Sequence, residues 1–193
     1  MEECVVLVDN SNVFIEARKL SAVRLCLPPA IPGKAPQDWN WRVDYGGLLT
    51  HLADGRKIRK AFLVGSRPPP NDRVWNMARR CGFEVKIHDR DANNREKAVD
   101  AELVAQGTRI ICTTSPAALV IASGDGDFIP LVDMAHVYGW MVEMAAFQSA
   151  FSRMGTMAMK VDRIRSLDDA LDRIGDTTTG IRAGKIETRD VKR

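Results

Sequence analysis

The sequence predicts an α/β fold, a three-layer α/β/α sandwich around a central, mainly parallel sheet. Five short apolar segments have the length of strands, and segments with helical character separate them. Strands that alternate with helices in this way are typical of a parallel sheet covered on both faces. Two segments, residues 4–8 and 117–123, are uninterrupted apolar runs, which is expected of strands buried on both faces.

The elements of the first half follow from their local patterns. Residues 4–8 form the first strand and lead into a helix over 12–25. Residues 27–36 contain four prolines and a glycine, which exclude regular structure, so 27–42 is predicted to be a proline-rich loop insertion. The next elements are a helix over 43–52, a strand over 58–66, a helix over 71–80 capped by Asn71, and a strand over 83–88.

The second half continues the alternation as far as its polar end. The predicted elements are a helix over 95–112, a strand over 117–123, a helix over 128–138, a strand over 140–146 and a helix over 150–159. Beyond Gly175 the chain is rich in Thr, Gly and charge without an apolar period, which predicts a flexible tail. We therefore expect one domain over residues 1–174 and a charged tail over 175–193.

Composition narrows the class of protein. The chain has 193 residues, enough for a sizeable core, and its 45% apolar and 27% charged residues are ordinary for a globular protein. No stretch approaches the roughly 18 apolar residues of a membrane helix, so no membrane association is expected. The four cysteines lack CxxC spacing, which argues against a zinc site or a disulfide framework and favours a reducing, cytoplasmic compartment.

Acidic residues follow two of the predicted central strands. Asp9 follows the first strand, and Asp125 and Asp127, separated by one glycine, follow the fourth. Because ligands of open α/β sheets bind at the carboxyl ends of the strands, these side chains are expected to converge on one rim. Asp100 is a fourth candidate, and it shares a helix face with Lys97 three residues before it.

This grouping of acids predicts a metal site. Crowded carboxylates are unfavourable unless a positive charge lies between them, and oxygen ligands without histidine or thiolate favour Mg²⁺ or Mn²⁺ over zinc. Such ions suit phosphoryl chemistry. No P-loop is present, and no histidine is placed near a candidate Ser or Cys nucleophile. Three structural alternatives stay open: Asp9 as a turn or helix-capping residue, Asp127 as a cap of the next helix and Asp100 as a solvent-facing acid.

Positive charge is concentrated in the middle of the chain. Between Gly55 and Asp100, twelve Lys and Arg residues stand against six Asp and Glu residues. A basic segment beside an acidic cluster suits a polyanionic substrate held near metal ions. The alternative is that these cations are an ordinary solvated surface.

Three motifs together resemble the NYN domains, which are PIN-like ribonuclease folds that include the bacterial LabA-like group. The motifs are Leu7-Val8-Asp9-Asn10-Ser11-Asn12, Lys97-Ala98-Val99-Asp100 and Ser123-Gly124-Asp125-Gly126-Asp127-Phe128, with Pro68-Pro69-Pro70 and Val161-Asp162-Arg163-Ile164-Arg165-Ser166-Leu167 as supporting marks. The resemblance covers about residues 4–168. It implies an acidic metal-binding set formed by Asp9, Asp100, Asp125 and Asp127, with Asn12 and Ser123 orienting ligands or substrate and Lys97 meeting a phosphate.

The sequence departs from that family pattern at two places. Relatives often carry a further acid beyond the Asp100 position, where this chain has Ala105 and Gln106. The first loop is also longer here and contains Trp39 and Trp41. These tryptophans either stack on unpaired bases, as aromatic residues do in single-strand binders, or fill the edge of the core.

The function predicted from the sequence is a metal-dependent endoribonuclease that uses Mg²⁺ or Mn²⁺. Its partner would be RNA, including single strands, contacted through Arg67, Arg73, Arg95 and Lys97. Within the acidic set, Asp125 is expected to be a direct or water-bridged ligand, whereas Asp127 combines ligation with helix capping. One alternative is an RNA-binding or regulatory module with a structural metal site. Another is a haloacid-dehalogenase-type phosphatase, disfavoured because Ser11 stands where that group has a second Asp. A homodimer is also left open.

Overall fold

The computed structural model describes residues 2–67, 72–89, 98–152 and 154–176. Within these ranges a six-stranded sheet lies between two layers of helices, which confirms the predicted fold class. The strands are β1 (Glu3–Asp9), β2 (Arg42–Val43), β3 (Lys57–Ser66), β4 (Glu84–His88), β5 (Ala118–Ala122), β6 (Met141–Ala146), β7 (Arg163–Ser166) and β8 (Gly175–Asp176). The helices are α1 (Asn10–Arg24), α2 (Tyr45–Ala53), α3 (Arg73–Arg80), α4 (Val99–Thr113), α5 (Ile129–Val137), α6 (Thr156–Lys160) and α7 (Leu171–Ile174).

The strand order places β1 and β5 side by side at the centre of the sheet. The order is β4-β3-β1-β5-β6-β7, and every neighbouring pair is parallel. In the β1–β5 pair, Val6 lies opposite Val120 and Val8 lies opposite Ala122. The residues that follow these two strands therefore emerge next to each other at the carboxyl rim.

Side chains of β1 point alternately into two apolar layers. Val6 and Val8 pack with α1, α2, α3 and α7, whereas Val5 and Leu7 pack with α4, α5 and α6. All four side chains are completely buried. Full burial of an aliphatic side chain of this size stabilises the fold by about 1.5–3 kcal/mol. Strand β1 is therefore held firmly in the core and fixes the position of Asp9 at its end.

A buried ion cluster connects β6 to the end of α2. Glu143 accepts hydrogen bonds of 2.8 and 3.0 Å from the two terminal nitrogens of Arg56, and Nε of Arg165 lies 3.4 Å from its second oxygen. Arg165 also donates to the carbonyl oxygen of Leu52 at 2.7 Å. Burial alone would lower the pKa of Arg56, but the hydrogen bonds and charge of Glu143 outweigh it and raise that pKa. The cluster therefore holds three distant segments together.

The structure differs from the predicted elements mainly after β6. The start of the helix predicted over 150–159 is wrong: a 3₁₀ turn at Gln148–Ala150 is followed by an extended residue, and α6 begins only at Thr156. At Gly155 a Cβ would lie 2.9 Å from the carbonyl oxygen of Ser152, so a tight turn separates the two. Strand β7 was not predicted, because an exposed edge strand with the sequence Arg-Ile-Arg-Ser lacks an apolar pattern.

A small antiparallel pair closes the described part of the chain. Strand β8 pairs with β2, with Gly175 opposite Val43. A Cβ at Gly175 would lie 2.6 Å from Nε1 of Trp41, so the close packing requires glycine. Gly175 and Asp176, the first two residues of the predicted tail over 175–193, form strand β8. Residues 177–193 and Asn71 lie outside the described residues, so the rest of the tail and the Asn71 cap stay predictions.

Two further observations bear on the predicted environment of the protein. Among the helices that the structure describes, none is both long and apolar enough to cross a membrane. The four cysteines are free thiols, of which Cys4 is buried and the others are exposed.

Candidate active site at the carboxyl rim of the sheet

Asp9 is the most enclosed acid of the rim. It ends β1, is 6% exposed, and caps α1 by accepting the backbone N–H of Asn12 at 3.1 Å. The hydroxyl of Ser11 donates to the same oxygen at 2.8 Å, and the hydroxyl of Ser123 donates to the other oxygen at 3.4 Å. These donors fix the orientation of the carboxylate toward the end of β5.

Ser123 connects Asp9 to the loop that carries the other two acids. It is fully buried, and its hydroxyl oxygen accepts the N–H of Asp125 at 3.3 Å. Thus one hydroxyl contacts Asp9 directly and also holds the backbone of Asp125. The prediction that the acids after β1 and β5 share one rim is consistent with this contact.

Asp125, and not Asp127, is the capping residue of the acidic loop. The carboxylate of Asp125 accepts the N–H of Asp127 at 3.0 Å and caps the 3₁₀ turn Gly126–Phe128. Helix α5 then begins after Phe128 without a side-chain cap. The expected capping by Asp127 is therefore wrong, because a 3₁₀ turn intervenes and Asp125 caps it. Both side chains are exposed.

Gly124 allows the acidic loop to contact the segment after β6. A Cβ at this position would lie 2.7 Å from the carbonyl oxygen of Ala150 and 2.9 Å from Cβ of Phe151. By contrast, the nearest atom to a Cβ at Gly126 is Cδ1 of Ile129, at 3.8 Å. The first glycine of the motif is thus required by packing, whereas the second is not.

We predict that Gly124→Ala lowers the free energy of unfolding by about 1–3 kcal/mol, because backbone atoms must move to admit the methyl group. Gly126→Ala is the matched control and should change it by less than about 0.5 kcal/mol. Urea unfolding monitored by circular dichroism measures both values. Equal tolerance of the two alanines would contradict the close contact at Gly124.

Asp100 lies in the first turn of α4 and is half-buried. Helix α4 packs against β1, β3 and the 3₁₀ turn that contains Asp127. Because α4 returns from the end of β4 to the start of β5, its first turn lies at the same rim as the other acids. Ala98, which precedes the helix, has a φ of 65°, so the helix begins from a left-handed residue.

Two contacts at this rim were missed by the sequence analysis. Nε2 of His88, at the end of β4, lies 3.8 Å from a carboxylate oxygen of Glu102 in the first turn of α4. The hydroxyl of Tyr45 donates to the side-chain oxygen of Asn10 at 2.9 Å, and burial raises the pKa of Tyr45, so this hydroxyl stays protonated. The sequence signal that could have indicated the first contact is position: His88 ends a strand, and Glu102 lies two residues after Asp100.

Much of the basic segment is neutralised by ion pairs. Arg56 binds Glu143, and cations near the start of β3 pair with Glu3 or Glu84. Arg67 follows β3, is exposed, and lies 4.0 Å from both Asp72 and Asp89. Arg73 begins α3 and is also exposed, and the predicted contacts Arg95 and Lys97 lie outside the described residues.

The acids of the rim fit a hard divalent cation by their chemistry. Their donor atoms are all carboxylate oxygens, the ligands that Mg²⁺ and Mn²⁺ prefer. In the described ranges, however, no three or more His, Cys, Asp or Glu side chains are grouped closely enough to hold an ion. Asp125 and Asp127 are exposed whereas Asp9 is buried, so a shared site would require these carboxylates to lie closer together.

A small cavity borders the acidic loop. It has a volume of about 180 Å³ and is lined by residues that include Gly124, Gly126, Phe151 and Thr156. A larger cavity of about 400 Å³ lies beside His51 and Arg173, between α2 and α7. The smaller cavity borders the glycines of the acidic loop, and none of the four acids lines it.

Fold and site together define an α/β domain in which acidic side chains gather where two central parallel strands end. A sequence model of the NYN domain matches residues 3–167, and the chain belongs to this family. The NYN domain is a PIN-like nuclease family, so the family that the sequence motifs resemble is confirmed and a nuclease-type hydrolase is indicated.

The remaining comparisons concern individual proteins. No curated protein sequence matches the chain. Among solved structures, a similar fold is found in a protein of unknown function from Vibrio parahaemolyticus, with a TM-score of 0.64 and 19% sequence identity. The alignment covers 91% of this chain and 96% of that chain. This similarity supports the fold.

Proposed function

We propose that the protein is a metal-dependent endoribonuclease that hydrolyses RNA phosphodiester bonds at the carboxyl rim of the sheet. The observation that carries the proposal is the contact between Asp9 and Ser123, which joins the ends of β1 and β5. Membership of a PIN-like nuclease family supports the same chemistry. It also favours a nuclease over the phosphatase alternative.

The four acids have different roles in the proposed site. Asp9 is the fixed member, because it is buried and held by hydroxyl and N–H donors. Asp125, Asp127 and Asp100 complete the set that would hold Mg²⁺ or Mn²⁺. When bound, such an ion lowers the pKa of a water molecule and neutralises charge on the phosphate.

Residues around the acids would position the RNA. Ser123 keeps Asp9 and the acidic loop in register, and Asn12 lies in the first turn of α1 beside Asp9. We propose that Arg67 and Arg73 contact phosphates, because they are exposed beyond the carboxyl end of β3. Arg95 and Lys97 are proposed for the same role from sequence alone. The free thiols favour a reducing, cytoplasmic location.

Cleavage of end-labelled RNA by the purified chain tests this function. Internal cuts are expected with Mn²⁺ or Mg²⁺ and should disappear with EDTA. RNA that is bound but left intact in the presence of either ion would refute the nuclease and favour the binding module. Release of phosphate from a small phosphomonoester would instead identify a phosphatase.

A further inference from the structure

Trp39 differs from the other tryptophans in its exposure. It lies in the loop between α1 and β2 and is 58% exposed, whereas Trp41, Trp75 and Trp140 are each at most 7% exposed. The ring of Trp41 packs 6.4 Å from that of Phe14 in the core. The sequence left two interpretations open for these tryptophans, base stacking or filling of the core edge. Trp41 fills the core, whereas Trp39 does not.

The loop holds Trp39 at a fixed place. The carboxylate of Asp38 is 7% exposed and accepts the hydroxyl of Ser21 at 2.7 Å and the N–H of Asn40 at 2.9 Å. The N–H of Asp38 also donates to the carbonyl oxygen of Arg18 at 3.0 Å. Since these bonds tie the residues beside Trp39 to α1, the exposed indole is presented by an ordered turn.

Two guanidinium groups accompany this indole. The guanidinium carbon of Arg18 lies 4.9 Å from the ring centroid of Trp39 and 4.0 Å from that of Phe14. Arg18 and Arg42 both donate to the carbonyl oxygen of Trp39. Burial lowers the pKa of Arg18, and the charge of Arg42 lowers it further, against a smaller opposite effect of Asp38. The surroundings of the indole are thus positively charged.

Helix α1 connects this surface to the acidic rim. Asn10, Phe14 and Arg18 occur at intervals of four residues, so they lie on one face of the helix. From Asn10, which follows Asp9, to Arg18 the distance along the helix axis is about 12 Å at the usual rise per residue. A strand of RNA that leaves the acids along this face would reach Trp39 within a few nucleotides.

We propose that Trp39, with Arg18 beneath it and Arg42 beside it, is a stacking platform for an unpaired base of single-stranded RNA. The inference rests on the proposed function, since the RNA would be the strand held at the acids. Arg18 covers one face of the indole, so the base stacks on the exposed face. The two guanidiniums attract the adjoining phosphate.

Fluorescence titration of the full chain with a short single-stranded oligoadenylate RNA tests the platform. EDTA is present throughout, so that binding is measured without hydrolysis. We expect the RNA to quench tryptophan emission, because Trp39 is the exposed indole. Trp39→Ala should abolish the quenching and weaken binding about 10-fold, as measured by fluorescence anisotropy of end-labelled RNA. Trp39→Phe should restore most of the affinity.

Ile31→Ala is the matched control, because Ile31 is a 52% exposed apolar residue of the same loop without an aromatic ring. Its affinity for the RNA should equal that of the wild type. Unchanged binding by Trp39→Ala, equal weakening by Ile31→Ala, or absence of RNA binding by the wild type would each overturn the platform. The two proposals can fail separately. If RNA quenches the wild type but not Trp39→Ala, and Mn²⁺ yields no cleavage, the proposed hydrolysis is refuted and the platform is supported.

Discussion

Asp9→Asn is expected to reduce RNA cleavage by at least about 100-fold while leaving the fold intact. Asn has nearly the shape of Asp and is an equally good N-cap, so the bond from the N–H of Asn12 is kept. The variant loses the negative charge at the end of the central strand, and an amide NH₂ replaces the oxygen that accepts the hydroxyl of Ser123. This NH₂ can donate to the same hydroxyl oxygen instead. Activity should therefore fall without a change in the thermal unfolding temperature.

Asp44→Asn is the control for this experiment. Asp44 caps α2 through a 3.0 Å bond from the N–H of Gly46, but it is outside the proposed acidic set. It should retain full cleavage. Asp125→Asn, which also keeps a capping oxygen, should lose cleavage as Asp9→Asn does. Cleavage by Asp9→Asn within about threefold of the wild type would remove Asp9 from the mechanism.

Glu143→Ala is expected to lower the free energy of unfolding by about 3–5 kcal/mol. Glu143 is completely buried, and its removal leaves Arg56 and Arg165 without their shared carboxylate in an enclosed place. Both arginines also bind carbonyl oxygens at the end of α2, so they cannot turn to solvent without breaking those bonds. Urea unfolding measures the loss.

Glu84→Ala provides the comparison with an exposed ion pair. Glu84 pairs with Lys60, and both side chains are close to half exposed. Its removal should change the free energy of unfolding by less than about 1 kcal/mol. Glu143→Gln, which keeps the side-chain volume, should fall between the two alanine variants. Should Glu143→Ala prove no more destabilising than Glu84→Ala, the cluster would be structurally unimportant.

Local sequence patterns were sufficient to predict the central strands and the acids that follow them. The apolar runs that became β1 and β5 are buried on both faces, so no polar residue interrupts them. The position of Asp9 at the carboxyl end of β1 can be predicted from where the apolar run ends, without knowledge of any tertiary contact. Strand β7 could not be recognised in this way, because it is short, lies at the sheet edge and forms only by pairing with β6.

Contacts between distant residues account for the other differences. The pair Arg56–Glu143 joins residues 87 positions apart, so no local pattern indicates that Glu143 is buried. The capping role of Asp125 rather than Asp127 depends on a 3₁₀ turn, whose short period is not visible in the sequence.

The sequence by itself determined the fold class, the family motifs and the acids that follow two central strands, because each depends on short runs of neighbouring residues. Only the tertiary structure decided that Trp41 enters the core while Trp39 remains exposed, although two positions separate them. The physical reason is that burial is set by packing against Phe14 and the loop around Asp38, which the chain acquires only when it folds.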